Sequence, residues 1–481
     1  MSGSNSDLDE QTNSADTGFP PDLLLALDRT SRDGLAVQLQ HQLRSGIQQG
    51  RLMAGSLLPP SRVLAAQLGV ARSVVVAAYE HLVADGYLTG HQGSGTRVRT
   101  VAPQPPPRTH HVRNPAVPLG GGLPDPALFP RTEWLRHYRN ALTAAPNSQL
   151  GYPGPLGTRP LREALTEYLA RIRGVVATPD HTIVTSGLTQ GITLLARALR
   201  ARGCNAIAVE DPCFGFHRDA IARTGLRVTQ VPVDENGLDV ARLAELDVGA
   251  VLVAPAHSYP TGVVLDTDRR AALISWARHR DALIIEDDYD AEFRYDRSPI
   301  GALQGLAPEH VAYAGCVSKT LSPALRIGWI VLPPWLVEPV AAEKLYDDMG
   351  NSVFEQLALS RFIGTGGLTR HLRRVRSVYR RRRDVMLGAI SASMPQTQPT
   401  GIDAGLHVYL RLPTGSDEDA IVAAAREQGL RLDGARWNWA DPDSAPPALV
   451  IGYGALSETA IRDSVSRLAP ILARLGGRQT R

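Results

Sequence analysis

Apolar residues fall at helical spacing early in the chain: Leu39, Leu43, Ile47 and Leu52 stand four or five residues apart and mark one amphipathic helix. Pro59-Pro60-Ser61 breaks that run and is expected to cap a second helix, Arg62 to Leu68, because a serine oxygen accepts from the free amides that open a helix. Gly69-Val70 makes a tight turn, and Ser73 to Ala84 predicts a third helix, with Val70, Val74, Tyr79 and Leu82 as core. Beyond Asp85-Gly86 the period shortens from helical to alternating. Tyr87-Leu88-Thr89, a glycine-rich tip His91-Gln92-Gly93-Ser94-Gly95 and Thr96-Arg97-Val98-Arg99 predict a β-hairpin. Helices joined by a tight turn and followed by a hairpin have the spacing of a winged helix-turn-helix.

The proline density of Val101 to His111 predicts an extended, semi-rigid spacer. His110 and His111 within it have no partner at metal spacing, so no metal is expected. Past the spacer the pattern is α/β. Thr182-Ile183-Val184-Thr185 reads as a short β-branched strand, followed by a small-residue turn and the apolar helix Ile192 to Leu199. Asp281-Ala282-Leu283-Ile284-Ile285 reads as a buried strand that delivers Asp287 to the C-terminal edge of a sheet, where such folds bind ligands.

A chain of 481 residues, 43% hydrophobic and 21% charged, suits two or three soluble units. The first thirty residues hold six acids and one arginine among Ser, Asn and Gly, a flexible tail in character and unlike a basic-then-apolar signal peptide. No apolar run approaches the roughly 18 residues of a membrane span. Cys204, Cys213 and Cys316 are odd in number and lack metal spacing, which suits a reducing cytoplasm. Residues 31–100 carry seven arginines against Asp33, Glu80 and Asp85, a local excess above the +3 of the whole chain and a footprint of phosphate-backbone binding.

Of 51 basic residues only Lys319 and Lys344 are lysines. Arginine keeps its proton, whereas a lysine amine can form a Schiff base, so an aldehyde cofactor such as pyridoxal 5'-phosphate (PLP) would hold one position as lysine. Such a site also needs a carboxylate for the pyridine nitrogen, an anion cradle for the phosphate and a flat group over the ring. Asp287 can supply the first, and Tyr289, two residues on along an extended strand, can bond the ring hydroxyl. Gly187, Leu188 and Thr189 open a helix whose free amides and dipole favour an anion, while Ser318 and Arg326 flank the lysine and can complete the cradle. Phe214, after another strand, can stack on the ring. Without a cofactor the same residues read as a surface lysine, a solvated acidic turn of Glu286, Asp287, Asp288 and Asp290, a capped turn and a core phenylalanine.

Over residues 119–476 the motifs Ser-Gly-x-x-Gln, Pro-x-x-x-x-Pro-x-Gly, Asp-x-Tyr and Ser-Lys-Thr follow in the order seen in fold-type I aminotransferases, and the segment resembles that family. The resemblance implies that Lys319 is the Schiff-base lysine, Asp287 the pyridinium partner, Tyr289 the ring-hydroxyl ligand and Phe214 the stacking ring. It also implies that Tyr152 reaches from a second subunit to the phosphate. Residues 31–100 carry Leu-x-x-Ser-Arg, Leu-Gly-Val-x-Arg-x-x-Val and Gly-Tyr-Leu-x-x-x-x-Gly-Ser-Gly-Thr, and are similar to the winged helix-turn-helix of GntR-type repressors. By that likeness Arg62 enters with the second helix, Arg72 and Ser73 start the recognition helix in the major groove, Gln92 and Gly93 approach the minor groove, and Arg99 touches phosphate.

The two units in this order resemble MocR/GabR-type transcription regulators. The expected organisation is a tail over 1–22, a DNA-binding domain over 23–100, a proline-rich linker over 101–118 and a PLP-binding sensor of fold type I over 119–481. Implied partners are double-stranded operator DNA, PLP, a small amino-compound effector, and a second copy in a head-to-tail, domain-swapped homodimer in the cytoplasm. Three departures from aminotransferases stand out. Tyr259 precedes Pro260-Thr261-Gly262 where Asn is usual, Cys316 replaces a hydroxyl residue near the phosphate, and Val450 stands where an arginine would clamp a substrate carboxylate. Arg436 and Arg431 are the candidates to substitute for that clamp. Without one, the effector could be PLP itself, in a regulator of vitamin B6 synthesis. An active aminotransferase with an appended DNA reader is the alternative.

Overall fold

Leu39, Leu43 and Ile47 bury one side of α1 (Leu35–Gln48), as their spacing predicts. The computed structural model describes residues 25–91, 95–100, 117–295 and 300–476, and the chain divides into two units, residues 1–111 and 112–481. Gln92 and Gly93, the acidic tail up to residue 24, and the spacer from 101 to 116 with His110 and His111 lie outside the described residues. Leu52 is buried but sits beyond α1: Gly50, at φ 74°, turns the chain, and the Leu52 amide donates to the Gly46 carbonyl at 3.0 Å.

β1 (Leu57–Leu58) precedes α2 (Ser61–Leu68), whose N-cap is Pro60 and not Ser61. Ser61 is already inside the helix, and its hydroxyl accepts from Arg72 Nε at 3.3 Å instead of capping. Gly69, left-handed at φ 62°, ends α2 and admits the turn into α3 (Arg72–Ala84). Val75, Ala78, Tyr79 and Leu82 form the buried face of α3, whereas Val70 and Val74 are only half-buried. Phase explains the correction: Val74 lies one residue, about 100°, off the face that Val75 begins. β2 (Leu88–His91) and β3 (Gly95–Val98) make the hairpin, and β1 joins it in a sheet of order β1-β3-β2.

In the large unit β4 (Val117–Pro118) pairs in parallel with Leu430–Arg431. The main sheet comprises β5 (Thr182–Thr185), β6 (Ala206–Asp211), β7 (Arg227–Asp234), β8 (Gly237–Leu238), β9 (Ala250–Val253), β10 (Leu283–Asp288), β11 (Val311–Cys316) and β12 (Gly328–Val331). Their order is β5-β12-β11-β10-β9-β6-β7-β8. β11, β10, β9, β6 and β7 are parallel; β12 is antiparallel to both β11 and β5, so β5 runs with the parallel set. The C-terminal ends of β5, β6, β9, β10 and β11 therefore open along one edge.

Alternation along β10 feeds two cores. Ile285 joins Ile192, Leu195 and Leu199 of the helix Leu188–Ala201, longer than predicted, while Ile284 joins Leu273 and Trp276 of the helix Thr267–Arg280. A smaller sheet of Gln398–Thr400, His407–Arg411, Ala448–Gly452 and Asp433–Gly434 packs with the helices Gly367–Ser393 and Glu458–Leu475. No described helix is long and apolar enough to cross a membrane.

Candidate functional site

The strand ends converge on a cavity of about 320 Å³. Leu188 and Thr189 follow β5, Phe214 and His217 follow β6, Tyr259 follows β9, Asp287, Tyr289 and Asp290 come from β10 and its end, and Cys316, Ser318 and Lys319 come from β11 and beyond; Arg326 and His407 complete the wall. Lys319 is not a surface lysine. Its Nζ donates to the Gly122 carbonyl at 2.7 Å, and burial pushes its pKa below the usual lysine range, raising the share of free amine at neutral pH. A side chain on Gly122, at φ 68°, would come 3.3 Å from Nζ, so glycine lets the backbone approach the amine.

The acidic run is likewise no solvated turn. Glu286 accepts from the Leu303 and Gln304 amides at 2.9 and 3.0 Å, and Asp288 pairs with Arg173 at 2.7 Å. Asp287 stands on the cavity wall with Oδ2 at 3.4 Å from His217 Nδ1, while its buried Oδ1 has no hydrogen-bond partner among the described residues. Burial raises its pKa, and His217 opposes that rise. A buried carboxylate oxygen without a protein donor fits a ligand that brings its own N–H, as a protonated pyridine does. Tyr289 lies just past the end of β10, and its hydroxyl is 3.0 Å from His257 Nδ1, itself 2.9 Å from Asp290 Oδ2.

Gly187 caps the helix Leu188–Ala201 at φ 97°, and a Cβ there would come 3.0 Å from the Arg326 guanidinium. Arg326, itself left-handed at φ 51°, donates to the Ser186 carbonyl. A guanidinium over a helix start forms a cradle suited to a phosphate. Phe214 belongs to the wall, edge-on to His217 at 4.9 Å and to Tyr259 at 5.3 Å.

His217, His257, Asp290 and His407 join the site unannounced by the sequence reading. His217 stands three residues after Phe214, one helical turn, and His257 and Asp290 follow strand ends; these spacings were the available signals. His407 comes from the smaller sheet. Its Nε2 lies 3.1 Å from the Pro260 carbonyl, which can only accept, so Nε2 carries the proton and Nδ1 is an acceptor. Burial drives its pKa down to about 4.

Two candidate residues for the carboxylate clamp are not in the site. Arg436 bonds the Pro442 carbonyl and pairs with Asp419 and Asp443, because the turn that follows Asp433–Gly434 directs it to those acids; Arg431 is exposed on the strand beside Pro118. Val450 is fully buried among Tyr409, Ala435 and Ala448. Tyr152 is 83% exposed and does not line its own chain's cavity. In the small unit Arg62, Arg72, Ser73 and Arg99 are all exposed, the last three at the start of α3 and the end of the wing strand.

Residues 125–428 match the family described as aminotransferase class I and II, and residues 35–98 match the gntR family of bacterial regulatory proteins. The class is thus a GntR-type DNA-binding unit joined to an aminotransferase-type unit. The chain is 32% identical over 448 residues to the HTH-type pyridoxine biosynthesis transcriptional regulator PdxR of Corynebacterium glutamicum, covering 92% of this chain and 96% of that protein. It is 29% identical over 474 residues to the probable rhizopine catabolism regulatory protein MocR of Rhizobium meliloti, covering 92% and 95%. Kynurenine aminotransferase of Pyrococcus horikoshii superposes with a TM-score of 0.69 at 27% identity, over 75% of this chain and 91% of that one. The chain belongs to the MocR-type transcription regulators, in which a DNA-binding helix-turn-helix is fused to a domain of the PLP-dependent aminotransferase fold.

Proposed function

We propose that the large unit binds PLP at Lys319 and that PLP is itself the signal that sets operator binding by the small unit. The observation that carries this reading is a shielded amine and an unpartnered carboxylate oxygen on the wall of one cavity. When bound, PLP would supply an aldehyde that joins an amine and a ring that withdraws electrons. Lys319 provides the amine and Asp287 receives the pyridine N–H. Tyr289, held by His257, would bond the ring hydroxyl, and Phe214 would lie against the ring. Gly187, Leu188, Thr189, Ser318 and Arg326 would hold the phosphate.

An amino-acid effector would need a carboxylate clamp, and among the described residues the wall carries no arginine besides Arg326, which is engaged at the cradle. The relative named as a pyridoxine biosynthesis regulator supports vitamin B6 genes as the target. One observation favours an amino compound acting alongside PLP: His407 Nδ1 is an acceptor on this wall, suited to an amine's N–H. The family resemblance supports a cytoplasmic, head-to-tail homodimer in which the exposed Tyr152 reaches the partner's phosphate site. The domain boundaries follow as a DNA reader over 23–100, a linker over 101–118 and the sensor over 119–481.

PLP can shift operator binding only as far as its affinity differs between two arrangements of the dimer. Titrating labelled operator duplex with apo and PLP-loaded full-length protein tests the reading, with a change of operator affinity expected. Equal affinities, together with a spectral change on adding one amino compound, would give the signalling role to that compound.

A further inference from the structure

A second cavity, of about 460 Å³, shares no residue with the first and is walled by Tyr168, Arg171, Glu292, Thr369, Arg373 and Arg376 among others. Tyr168 is 2% exposed, yet its hydroxyl has no hydrogen-bond partner among the described residues. Glu292 and Arg376, which line the same cavity, are the charged groups that act on that hydroxyl most strongly. Buried hydroxyls are almost always satisfied, so an orphan on a residue that lines a cavity calls for a partner. Arg171 and Arg373 are exposed and pair with no acid among the described residues. Arg376 gives its Nε to the Glu292 carbonyl, and an adjoining cavity shares Arg373 and Arg376 and adds Arg380. Glu292, the single carboxylate on the wall among the described residues, is pushed upward in pKa by burial and by Asp288, and in its protonated form it tolerates an anion beside it.

We propose that this cavity binds a small phosphate-bearing anion, inorganic phosphate or a phosphate monoester, through Arg171, Arg373 and Arg376 with the Tyr168 hydroxyl as a further donor. Several guanidinium forks and a neutral donor around one space suit a tetrahedral dianion better than a single planar carboxylate. A nucleic-acid backbone tracks a surface and would not reach a hydroxyl buried this deeply. The proposal is independent of what occupies the Lys319 cavity.

Calorimetric titration of PLP-loaded full-length protein with inorganic phosphate tests it, PLP loading being followed separately by absorbance so that each reading fails by itself. One saturable phosphate site per chain is expected, weakened at least about tenfold by Arg373→Gln, a change at an exposed, unpaired side chain. Tyr168→Phe should weaken phosphate severalfold while leaving thermal unfolding unchanged or raised, since the hydroxyl it removes has no protein partner. Phosphate binding untouched by both substitutions overturns the proposal. So does equal affinity for malonate, or displacement of phosphate by non-operator duplex DNA.

Discussion

His217 Nδ1 stands 3.4 Å from Asp287 Oδ2, both side chains nearly sealed from solvent, so the carboxylate facing the cavity is braced by a residue that follows a different strand. Burial raises the Asp287 pKa, so its contribution to apo stability is full below the unfolded carboxyl value of about 3.9 and is lost as pH rises through the folded value. At neutral pH Asp287 thus leaves the apo protein less stable than it does in acid. Asp287→Asn should raise the apo unfolding temperature while weakening PLP at least about tenfold, or about 1.4 kcal/mol. A fall in both quantities would make Asp287 a structural residue.

The two lysines should respond in opposite ways. Lys319→Ala should abolish the absorption band of lysine-bound PLP near the edge of the visible while leaving the fold intact. Lys344 is fully buried, with Nζ at 2.7 Å from both oxygens of Asp348, which also accepts from Gln190 and the Gly350 amide. Because Asp348 keeps those donors and is partly exposed, Lys344→Ala should keep the band and cost about 2 kcal/mol, short of a fully stranded buried charge. Absorbance and urea unfolding of both variants read this out.

His407 predicts an acid limb. Its folded pKa of about 4 lies below the unfolded value of about 6.5, so its contribution is complete above 6.5 and is lost as pH falls toward 4. Over that window the loss amounts to about 3 kcal/mol at most. Urea unfolding from pH 7 to 4.5 should show a shallower decline in His407→Gln than in the parent chain; identical slopes would place the loss at other groups.

Strand ends are the part of this site that the sequence makes legible. Asp287 and Lys319 each close or follow an apolar run, and their chemistry narrows the ligand without further context. Long-range closure is not legible. Lys319 meets Gly122 across 197 positions, and His407 arrives from another sheet, so no local spacing links them. Arg436 and Arg431 attract attention by nearness to Val450 along the chain, yet pairing turns Asp433 toward Val450 and carries both arginines away. Val74 fails as a core residue for a smaller reason, since it lies one residue, about 100°, off the inward face that begins at Val75.

On DNA, Arg72→Ala at the start of α3 should cost about 1–3 kcal/mol and relax discrimination at one base pair. Arg99→Ala should weaken all sequences alike and flatten the salt dependence. Binding isotherms on operator and single-base variants at two salt concentrations separate the two, and unchanged discrimination in Arg72→Ala would remove its direct-readout role.

Tyr152 offers a test of sharing between subunits. Tyr152→Phe should leave unfolding unchanged, because the side chain is 83% exposed, while weakening PLP in a dimer. Mixed dimers of Lys319→Ala and Tyr152→Phe chains should regain one intact site, seen as half of the parent's high-affinity PLP stoichiometry; no recovery would mean that Tyr152 acts within its own chain, and unweakened PLP binding by the Tyr152→Phe homodimer would mean that it takes no part.

With only two lysines, the protein offers reactive aldehydes few amines to attack. Lys344 is shut away with its carboxylate, whereas the Lys319 amine gives its hydrogen bond to a neutral carbonyl and opens on a cavity. Amine-directed labels applied to the native apo protein should therefore mark Lys319 among the lysine side chains and spare Lys344, and the resulting adduct would report occupancy of that cavity in mixtures as crude as a cell extract.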